Sequence, residues 1–177
     1  MADDEYILKI CSAGSYQVGK TSLIRRYAEN TFSEDYLPTL GVDITTKRII
    51  VDGKPIKLIL MDTAGQEMFG NIRKSYFDGA AGCLIVYDIT RRESFDSLDR
   101  WVADFRSNKG RETTPIVIIG NKNDLEADRK VEPEEGRKFA EEKGNVPFYE
   151  CSAKLGGPEI PEIYVNLARQ YLNSVQR

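Results

Sequence analysis

One short segment constrains this chain more than any other: residues 14–21 read GSYQVGKT and match the pattern GxxxxGK[ST]. The segment follows a strand-like run at 6–12 and opens a helical run at 20–29, the setting in which this pattern holds phosphates. Glycines let the backbone wrap closely round an anion, while the loop N–H groups and the helix N-terminus face it. We therefore predict a phosphate-binding loop in which Lys20 contacts the β- and γ-phosphates and the Thr21 hydroxyl ligates magnesium.

Strand-like and helical runs alternate along the rest of the chain. Strands are predicted at 42–51, 56–62, 82–89, 116–120 and 146–150, and further helices at 93–107, 134–143 and 161–172. Asp52-Gly53 is a strong hairpin signal, whereas alternating strands and helices imply parallel pairing through right-handed crossovers. We expect an α/β fold with a six-stranded, mostly parallel sheet, one antiparallel edge strand and helices on both faces. A single domain should span residues 1–177, with a core at about 6–172.

Composition excludes several kinds of site and partner. The chain has no histidine, which rules out histidine nucleophile triads and histidine zinc sites, and its net charge of −3 weighs against nucleic-acid binding. Cys11, Cys83 and Cys151 lie in or beside apolar runs without a CxxC pair, so we expect buried thiols in a cytoplasmic protein. The apolar runs are far shorter than the roughly 20 residues of a membrane span, and we expect no stable membrane anchor.

Other candidate residues follow the strands, because ligands of such sheets bind beyond the carboxyl ends of the strands. The strand at 56–62 ends at Asp62, a carboxylate placed to hold magnesium directly or through water. Residues 63–67, TAGQE, come next. In this stretch Gly65 can bring its N–H to the terminal phosphate, and Gln66 can orient the attacking water.

Two later strand ends point to guanine. The strand at 116–120 leads into NKND, residues 121–124. Guanine presents N1–H and N2–H₂ as adjacent donors, and the Asp124 carboxylate can accept from both, whereas adenine offers no such pair. Lys122 can cover the base, and Asn121 can tie this loop to the first one. After the last strand, the tripeptide at 152–154 places the Ala153 N–H where it could donate to guanine O6.

Over about residues 6–172 the chain resembles the Ras superfamily of small GTPases. The resemblance rests on the order and spacing of five motifs: GSYQVGKT, PTLGVD, DTAGQE, NKND and CSAK. The chain is most similar to Rab in two motifs, VYDIT and GVD before a hairpin. It is similar to Ran in three others, DTAGQEMFG, LGV and DRKV, so we interpret it as Rab/Ran-like. The resemblance implies a monomeric switch in intracellular trafficking or signalling that binds GTP or GDP with Mg²⁺ and hydrolyses GTP slowly. It also implies effector, exchange-factor and activating proteins that bind two switch loops.

The resemblance adds three residues that the motifs alone do not identify. Thr39 matches the threonine that completes the magnesium shell with GTP, Phe32 the aromatic that packs on guanine, and Tyr36 the switch tyrosine near the γ-phosphate. The expected site then has catalytic residues Lys20, Gly65 and Gln66, magnesium ligands Thr21, Thr39 and Asp62, and nucleotide contacts at Gly14, Tyr16, Gln17, Val18, Gly19, Lys20, Thr21, Ser22, Phe32, Tyr36, Thr39, Gly65, Asn121, Lys122, Asp124, Ser152, Ala153 and Lys154.

Departures from the family pattern leave alternatives open. The positions of Tyr16 and Gln17 usually carry glycine or another small residue in the family, and a tyrosine ring beside the γ-phosphate predicts slow hydrolysis unless it turns outward. A pseudo-GTPase with little hydrolysis is therefore an alternative. Where Rab proteins present Phe, Trp and Tyr to effectors, this chain has Ile44, Met61 and Tyr76. A nucleotide kinase is less well supported, because no insertion could form its lid.

Overall fold

Six strands in the described part of the chain form one mixed sheet. The computed structural model describes residues 5–35, 39, 41–63, 70–109 and 113–175. The strands are β1 (Tyr6–Ala13), β2 (Val42–Val51), β3 (Lys54–Thr63), β4 (Ala80–Asp88), β5 (Ile116–Asn121) and β6 (Phe148–Cys151). The helices are α1 (Lys20–Glu29), α2 (Gly70–Phe77), α3 (Arg92–Asp96), α4 (Leu98–Lys109), α5 (Pro133–Glu142) and α6 (Glu159–Val175), with a 3₁₀ turn at Glu126–Asp128.

The sheet has the order β2-β3-β1-β4-β5-β6, and its neighbours run parallel except for β2 and β3. In the antiparallel pair Val42 lies opposite Thr63, and Val51 lies opposite Lys54. The hairpin turns at Asp52-Gly53 with φ of 51° and 78°, the positive values that a type I′ turn requires at both central residues. The predicted sheet, mostly parallel with one antiparallel edge strand, is confirmed.

Helices cover both faces of the sheet, because successive side chains of a strand point to opposite faces. Leu8 and Ile10 of β1 belong to a core shared with α1 and α6, in which the Tyr27 and Tyr164 rings stack with centroids 3.9 Å apart. Cys11, between Ile10 and the end of the strand, belongs to the opposite core, which includes residues of α2, α4 and α5. The central strand β4 is buried along its whole length, as expected of a strand covered on both sides.

The helices differ from the predictions in two places. The helix predicted at 93–107 is two helices, α3 and α4, separated by Ser97, whose hydroxyl donates to the Ser94 carbonyl at 3.0 Å. Helix α2 was not predicted, because its eight residues are too few to display a helical repeat. Its Tyr76 and Phe77 are buried while Ile72 is exposed, a division that only the packing against the sheet reveals.

Two expectations from composition concern buried and apolar segments. The three cysteines are free thiols, and all three are buried, as predicted. In the ranges that the structure describes, no helix combines the length and the apolar character that crossing a bilayer requires.

Candidate functional site

The described parts of the predicted motifs meet at one edge of the sheet, where the carboxyl ends of the parallel strands lie together. They border a cavity of about 450 Å³, here called the strand-end cavity. Its lining includes the predicted contacts Gln17, Gly19, Lys20, Thr21, Ser22, Phe32, Thr39, Asn121, Lys122, Asp124, Ala153 and Lys154, and also Arg25, Ser33, Glu34, Asp35, Thr63, Arg91 and Leu125, which were not predicted. Tyr36, Gly65 and Gln66 lie outside the described residues, so their predicted roles stay predictions.

Side chains bind five successive backbone carbonyls of the loop, at residues 14–18. The bonds run from Lys20 Nζ to Gly14 and Ser15 (2.9 Å each), from Arg91 Nη1 to Tyr16 (2.6 Å), from Lys122 Nζ to Gln17 (2.9 Å) and from Asn121 Nδ2 to Val18 (2.9 Å). In a trans peptide the C=O and the following N–H point in opposite directions, and no peptide of the described chain is cis. Because each carbonyl is hydrogen-bonded by a side chain, the N–H that follows it points the opposite way, where an anion could bind.

Two glycines of the loop are required by close contacts. A Cβ on Gly14 would lie 2.2 Å from the Val86 carbonyl oxygen, and one on Gly19 would lie 2.2 Å from Asn121 Nδ2. Their φ angles, +147° and +98°, are also values that other residues rarely adopt. The spacing of glycines in the motif thus corresponds to two positions where the loop touches the rest of the protein. Val18, between them, is fully buried in the core, so it can offer only backbone groups to a ligand.

The Lys20 ammonium is the most enclosed cation of the cavity. Only 5% of the residue is exposed. Burial lowers the pKa of Lys20 to about 8, while the charge of Asp62 opposes that shift and the charge of Arg91 adds to it. A buried ammonium bonded only to neutral carbonyls lacks a nearby counter-ion at hydrogen-bonding distance among the described residues. A phosphate in the cavity would supply one.

Three oxygen-bearing side chains converge beside Lys20. The Thr21 hydroxyl donates to Asp62 Oδ2 at 2.5 Å, and the Oγ1 atoms of Thr21 and Thr39 lie 2.7 Å apart. The second carboxylate oxygen, Asp62 Oδ1, is buried and has no hydrogen-bond partner in the described ranges. Burial raises the pKa of the Asp62 carboxyl above its usual value, against the hydrogen bond from Thr21. Hard oxygen ligands around an unpaired buried oxygen fit Mg²⁺.

The two strand-end loops proposed for guanine are joined by side-chain hydrogen bonds. The Ser152 hydroxyl donates to Asp124 Oδ1 at 2.6 Å, which orients the carboxylate. Asn121 Oδ1 accepts the Ala153 N–H at 3.1 Å, while its Nδ2 holds the first loop. Asn121 is buried, so this amide connects three loops inside the protein. The tie between loops that the sequence suggested for Asn121 is present.

Lys122 takes part in a second connection. Its ammonium lies 2.7 Å from Asp88 Oδ2, at the end of β4, and donates to the Gln17 carbonyl. Asp88 is buried, and its other oxygen accepts from the N–H and hydroxyl of Thr90. Lys122 lines the cavity, and the ion pair fixes the position of its ammonium, so its aliphatic stem could cover a bound base.

Phe32 is half-buried and lines the cavity; its predicted packing on guanine stays a prediction. Close to it, Lys154 forms an ion pair with Glu34, with Nζ and Oε1 2.6 Å apart. This pair joins the loop after β6 to the segment that follows α1. Both side chains are largely exposed, so the pair adds little stability by itself.

Sequence reasoning missed two arginines that hold these loops. Arg26, on α1, donates from Nε to the Ala153 carbonyl at 2.8 Å and from Nη2 to the Lys154 carbonyl at 2.7 Å. Arg91 donates to the Tyr16 carbonyl. Neither residue belongs to a phosphate or guanine motif. No local pattern identifies them, because their partners are backbone atoms distant in sequence.

Tyr76 also behaves differently from what its matching position in Rab suggests. Its hydroxyl donates toward the carbonyls of Ser12 (3.0 Å) and Met61 (2.9 Å) and accepts the Ser12 N–H (3.1 Å). With 3% exposure it is a core residue that joins α2 to β1 and β3. Ile44, by contrast, is 57% exposed on β2. An effector surface at these positions would therefore expose Ile44 but not the ring of Tyr76.

A family model described as the Ras family matches residues 9–173. The match begins within β1 and ends within α6, so it includes every described residue that lines the strand-end cavity.

Proposed function

Because the chain belongs to the Ras family, whose members are in general GTP-binding switch proteins, we propose that it binds GTP and GDP with Mg²⁺ in the strand-end cavity and hydrolyses GTP slowly. One observation supports this proposal most directly: three structural features lie at one cavity. They are a glycine loop whose carbonyls are hydrogen-bonded by side chains, the hydroxyls of Thr21 and Thr39 with Asp62 bonded behind Thr21, and the oriented Asp124 carboxylate. Each part suits a different portion of the nucleotide. A cavity of about 450 Å³ is within the usual size range of small-molecule sites.

We assign the phosphates to the loop at 14–21. Its N–H groups face away from the fastened carbonyls, and Lys20, Thr21 and Ser22 at the start of α1 line the same wall. Helix N-termini favour anions, because the first N–H groups have no partner within the helix. The Lys20 ammonium has three N–H donors and uses two of them on the Gly14 and Ser15 carbonyls, so the third could donate to a phosphate oxygen.

We assign the base to the loops after β5 and β6. Asp124 would accept from guanine N1–H and N2–H₂, the Ala153 N–H would donate to O6, and Lys122 and Phe32 would cover the ring. The hydrogen bond from Ser152 supports this assignment, because it presents the carboxylate in a defined orientation.

We assign the metal to Thr21, Thr39 and Asp62. When bound, Mg²⁺ neutralises charge that develops on the phosphates. Thr21 and Thr39 would ligate it directly in the GTP state, with Asp62 acting through water. Thr39 lies in the segment between α1 and β2, so a contact available only with the γ-phosphate would order that segment as a switch.

For hydrolysis we propose that Gln66 orients a water molecule that attacks the γ-phosphorus, breaking the bond to the β–γ bridging oxygen and releasing GDP and phosphate. Gly65 would donate its N–H to the γ-phosphate. The family match supports hydrolysis in general. The bulky Tyr16 and Gln17 favour a slow reaction, and a pseudo-GTPase with little turnover is the second candidate.

We further propose a Rab/Ran-like, monomeric, cytoplasmic protein of trafficking or signalling, formed of a single domain. Effectors, exchange factors and activating proteins would bind the segments around Thr39 and Gln66. The motifs VYDIT and DRKV support the Rab/Ran-like assignment.

Single-turnover hydrolysis of GTP tests the proposal. The parent protein should convert bound GTP slowly, and Gln66→Leu should convert it more slowly still with nearly unchanged nucleotide affinity, because the side chain acts late on the reaction path. Equal rates would show that another group positions the water. Hydrogen exchange over residues 33–41 should also be slower with a GTP analogue than with GDP, and equal exchange would count against switching.

A further inference from the structure

Gln17 occupies a backbone conformation that its side chain disfavours. Its φ is +60°, in the left-handed region that glycine adopts readily and other residues rarely do. Such a residue persists only where its surroundings over-determine the conformation. The two peptides that flank Gln17 must therefore be held by something other than local preference.

Both flanking peptides are held by cations. The carbonyl before Gln17, that of Tyr16, accepts from Arg91 Nη1 at 2.6 Å. The carbonyl of Gln17 itself accepts from Lys122 Nζ at 2.9 Å. Because the Tyr16 carbonyl points toward Arg91, the N–H of Gln17 points the opposite way. Arg91 thus sets the direction of one N–H in the loop assigned to the phosphates.

Arg91 is itself rigidly placed. Its N–H donates to the Asp88 carbonyl at 3.0 Å, and its carbonyl accepts the Ser94 hydroxyl at 2.6 Å and the Ser94 N–H at 3.0 Å. The guanidinium Nε lies 3.0 Å from Glu93 Oε1, and 30% of the side chain is exposed. Arg91 also lines the strand-end cavity together with Gln17 and Lys20, so its charge lies on the phosphate side.

We propose that Arg91 is a positioning residue for nucleotide phosphates, which locks the Tyr16–Gln17 peptide so that the Gln17 N–H faces the anion. The inference rests on the proposed function, since it assumes that phosphates occupy the loop. The proposal explains how a loop with side chains at positions 16 and 17 keeps a phosphate-binding conformation. Glycine would adopt the positive φ at position 17 readily, whereas Gln17 needs the hydrogen bond from Arg91 to the preceding carbonyl to stabilise it.

The neighbouring arginine provides a matched control. Arg92 pairs with Asp96 and Glu135 at 3.3 and 2.7 Å, and 47% of its side chain is exposed. It does not line the strand-end cavity. Arg91→Ala and Arg92→Ala therefore remove the same charge from adjacent positions, but only the first releases the Tyr16 carbonyl.

The test is a double-mutant cycle between Arg91 and Gln17, read as the affinity and dissociation rate of fluorescent ribose-labelled GDP in the presence of Mg²⁺. Arg91→Ala should weaken binding about tenfold, as expected for a lost charge-assisted hydrogen bond, while Arg92→Ala should leave binding within about twofold. Glycine adopts a positive φ without the hydrogen bond from Arg91. In a Gln17→Gly background, Arg91→Ala should therefore reduce the affinity for labelled GDP by about threefold or less.

The outcomes separate the two hypotheses. A parent protein that does not bind labelled GDP would refute the proposed function. If the parent binds but Arg91→Ala equals Arg92→Ala, or if Arg91→Ala costs the same with Gln17 and with Gly at that position, Arg91 does not position the loop. Circular dichroism of each variant at the assay temperature identifies any that is unfolded, and Arg91→Gln then replaces Arg91→Ala in the same cycle.

Discussion

The amide of Asn121 lies against Gly19 so closely that a Cβ built on Gly19 would fall 2.2 Å from Asn121 Nδ2. The same nitrogen donates to the Val18 carbonyl, and the amide oxygen accepts the Ala153 N–H. One buried amide therefore determines the distance between the loop assigned to the phosphates and the loop assigned to the base. Any residue larger than glycine at position 19 must displace it.

We expect Gly19→Ala to weaken GDP binding by at least about tenfold, because the Cβ displaces Asn121 and with it the contacts to Val18 and Ala153. Gly79→Ala is the control, since Gly79 has a similar positive φ of 69° but nothing within 4 Å of the built Cβ. Both variants should lose some thermal stability, but only Gly19→Ala should lose affinity in a titration with labelled GDP. Equal affinities in the two variants would contradict the role of Asn121.

Guanine selectivity should depend on Asp124. Asp124→Asn places an amide donor beside a guanine donor, and we expect it to cost roughly 2–4 kcal/mol of GTP binding. Xanthine nucleotides, with O2 in place of N2–H₂, should then bind better than GTP. Ser152→Ala removes the hydrogen bond that orients Asp124 and the hydroxyl that accepts the Leu155 N–H, but it keeps the carboxylate itself. It should therefore weaken both nucleotides without reversing their order. Competition binding measures both variants, and an Asp124→Asn protein that still prefers guanine would refute the assignment.

Tyr16 should slow GTP hydrolysis through its ring. The residue is 38% exposed, and its carbonyl is held by Arg91, so a smaller side chain can replace it without releasing the backbone. We expect Tyr16→Gly to raise the single-turnover rate and Tyr16→Phe, which keeps the ring, to retain the parent rate. If Tyr16→Gly and the parent agree within about twofold, roughly 0.4 kcal/mol in barrier, the ring does not obstruct the reaction.

The three thiols should be protected by the fold. Burial raises the pKa of Cys151 to about 12 and that of Cys83 well above its usual value. Because the thiolate is the reactive form, the native protein should react with a disulfide reagent at pH 8 far more slowly than the chain in guanidinium, which should show all three thiols. A native thiol that reacts at the unfolded rate would contradict this.

The same shifts make a prediction for stability. The unfolded chain releases its thiol protons near pH 8.5, whereas folded Cys151 retains its proton to about pH 12. The contribution of this thiol to the free energy of unfolding is therefore constant below about pH 8.5 and falls as the pH rises toward 12. Urea unfolding at pH 7 and pH 10 measures the change, and Cys151→Ala should reduce the difference between the two values.

Much of the fold and site follows from sequence because the relevant signals are local. The loop at 14–21, the start of α1 and the Asp52-Gly53 turn each depend on residues within a few positions of one another. The rules for parallel crossovers and hairpins then predict a mostly parallel sheet with one antiparallel edge strand, in which the carboxyl ends of the parallel strands bring Asp62, Asn121 and Asp124 to one edge. The order of the strands is seen only in the structure. Helix α2 escaped prediction because its eight residues carry too short a pattern.

By itself, then, the sequence determined which candidate residues follow which strands, and it predicted the chemistry that they could carry. Only the tertiary structure decided what holds them: Arg26 reaches Ala153 across 127 positions, Arg91 reaches Tyr16 across 75, and the Tyr76 hydroxyl reaches Ser12 across 64. Each of these hydrogen bonds joins a side chain to a backbone atom. Because every residue has such atoms, the sequence of the partner segment does not predict the bond. The fold brings a side chain from a distant helix or loop to a backbone segment and holds that segment by a hydrogen bond. Such a bond can stabilise even a strained backbone conformation, and it can be identified only in the folded structure.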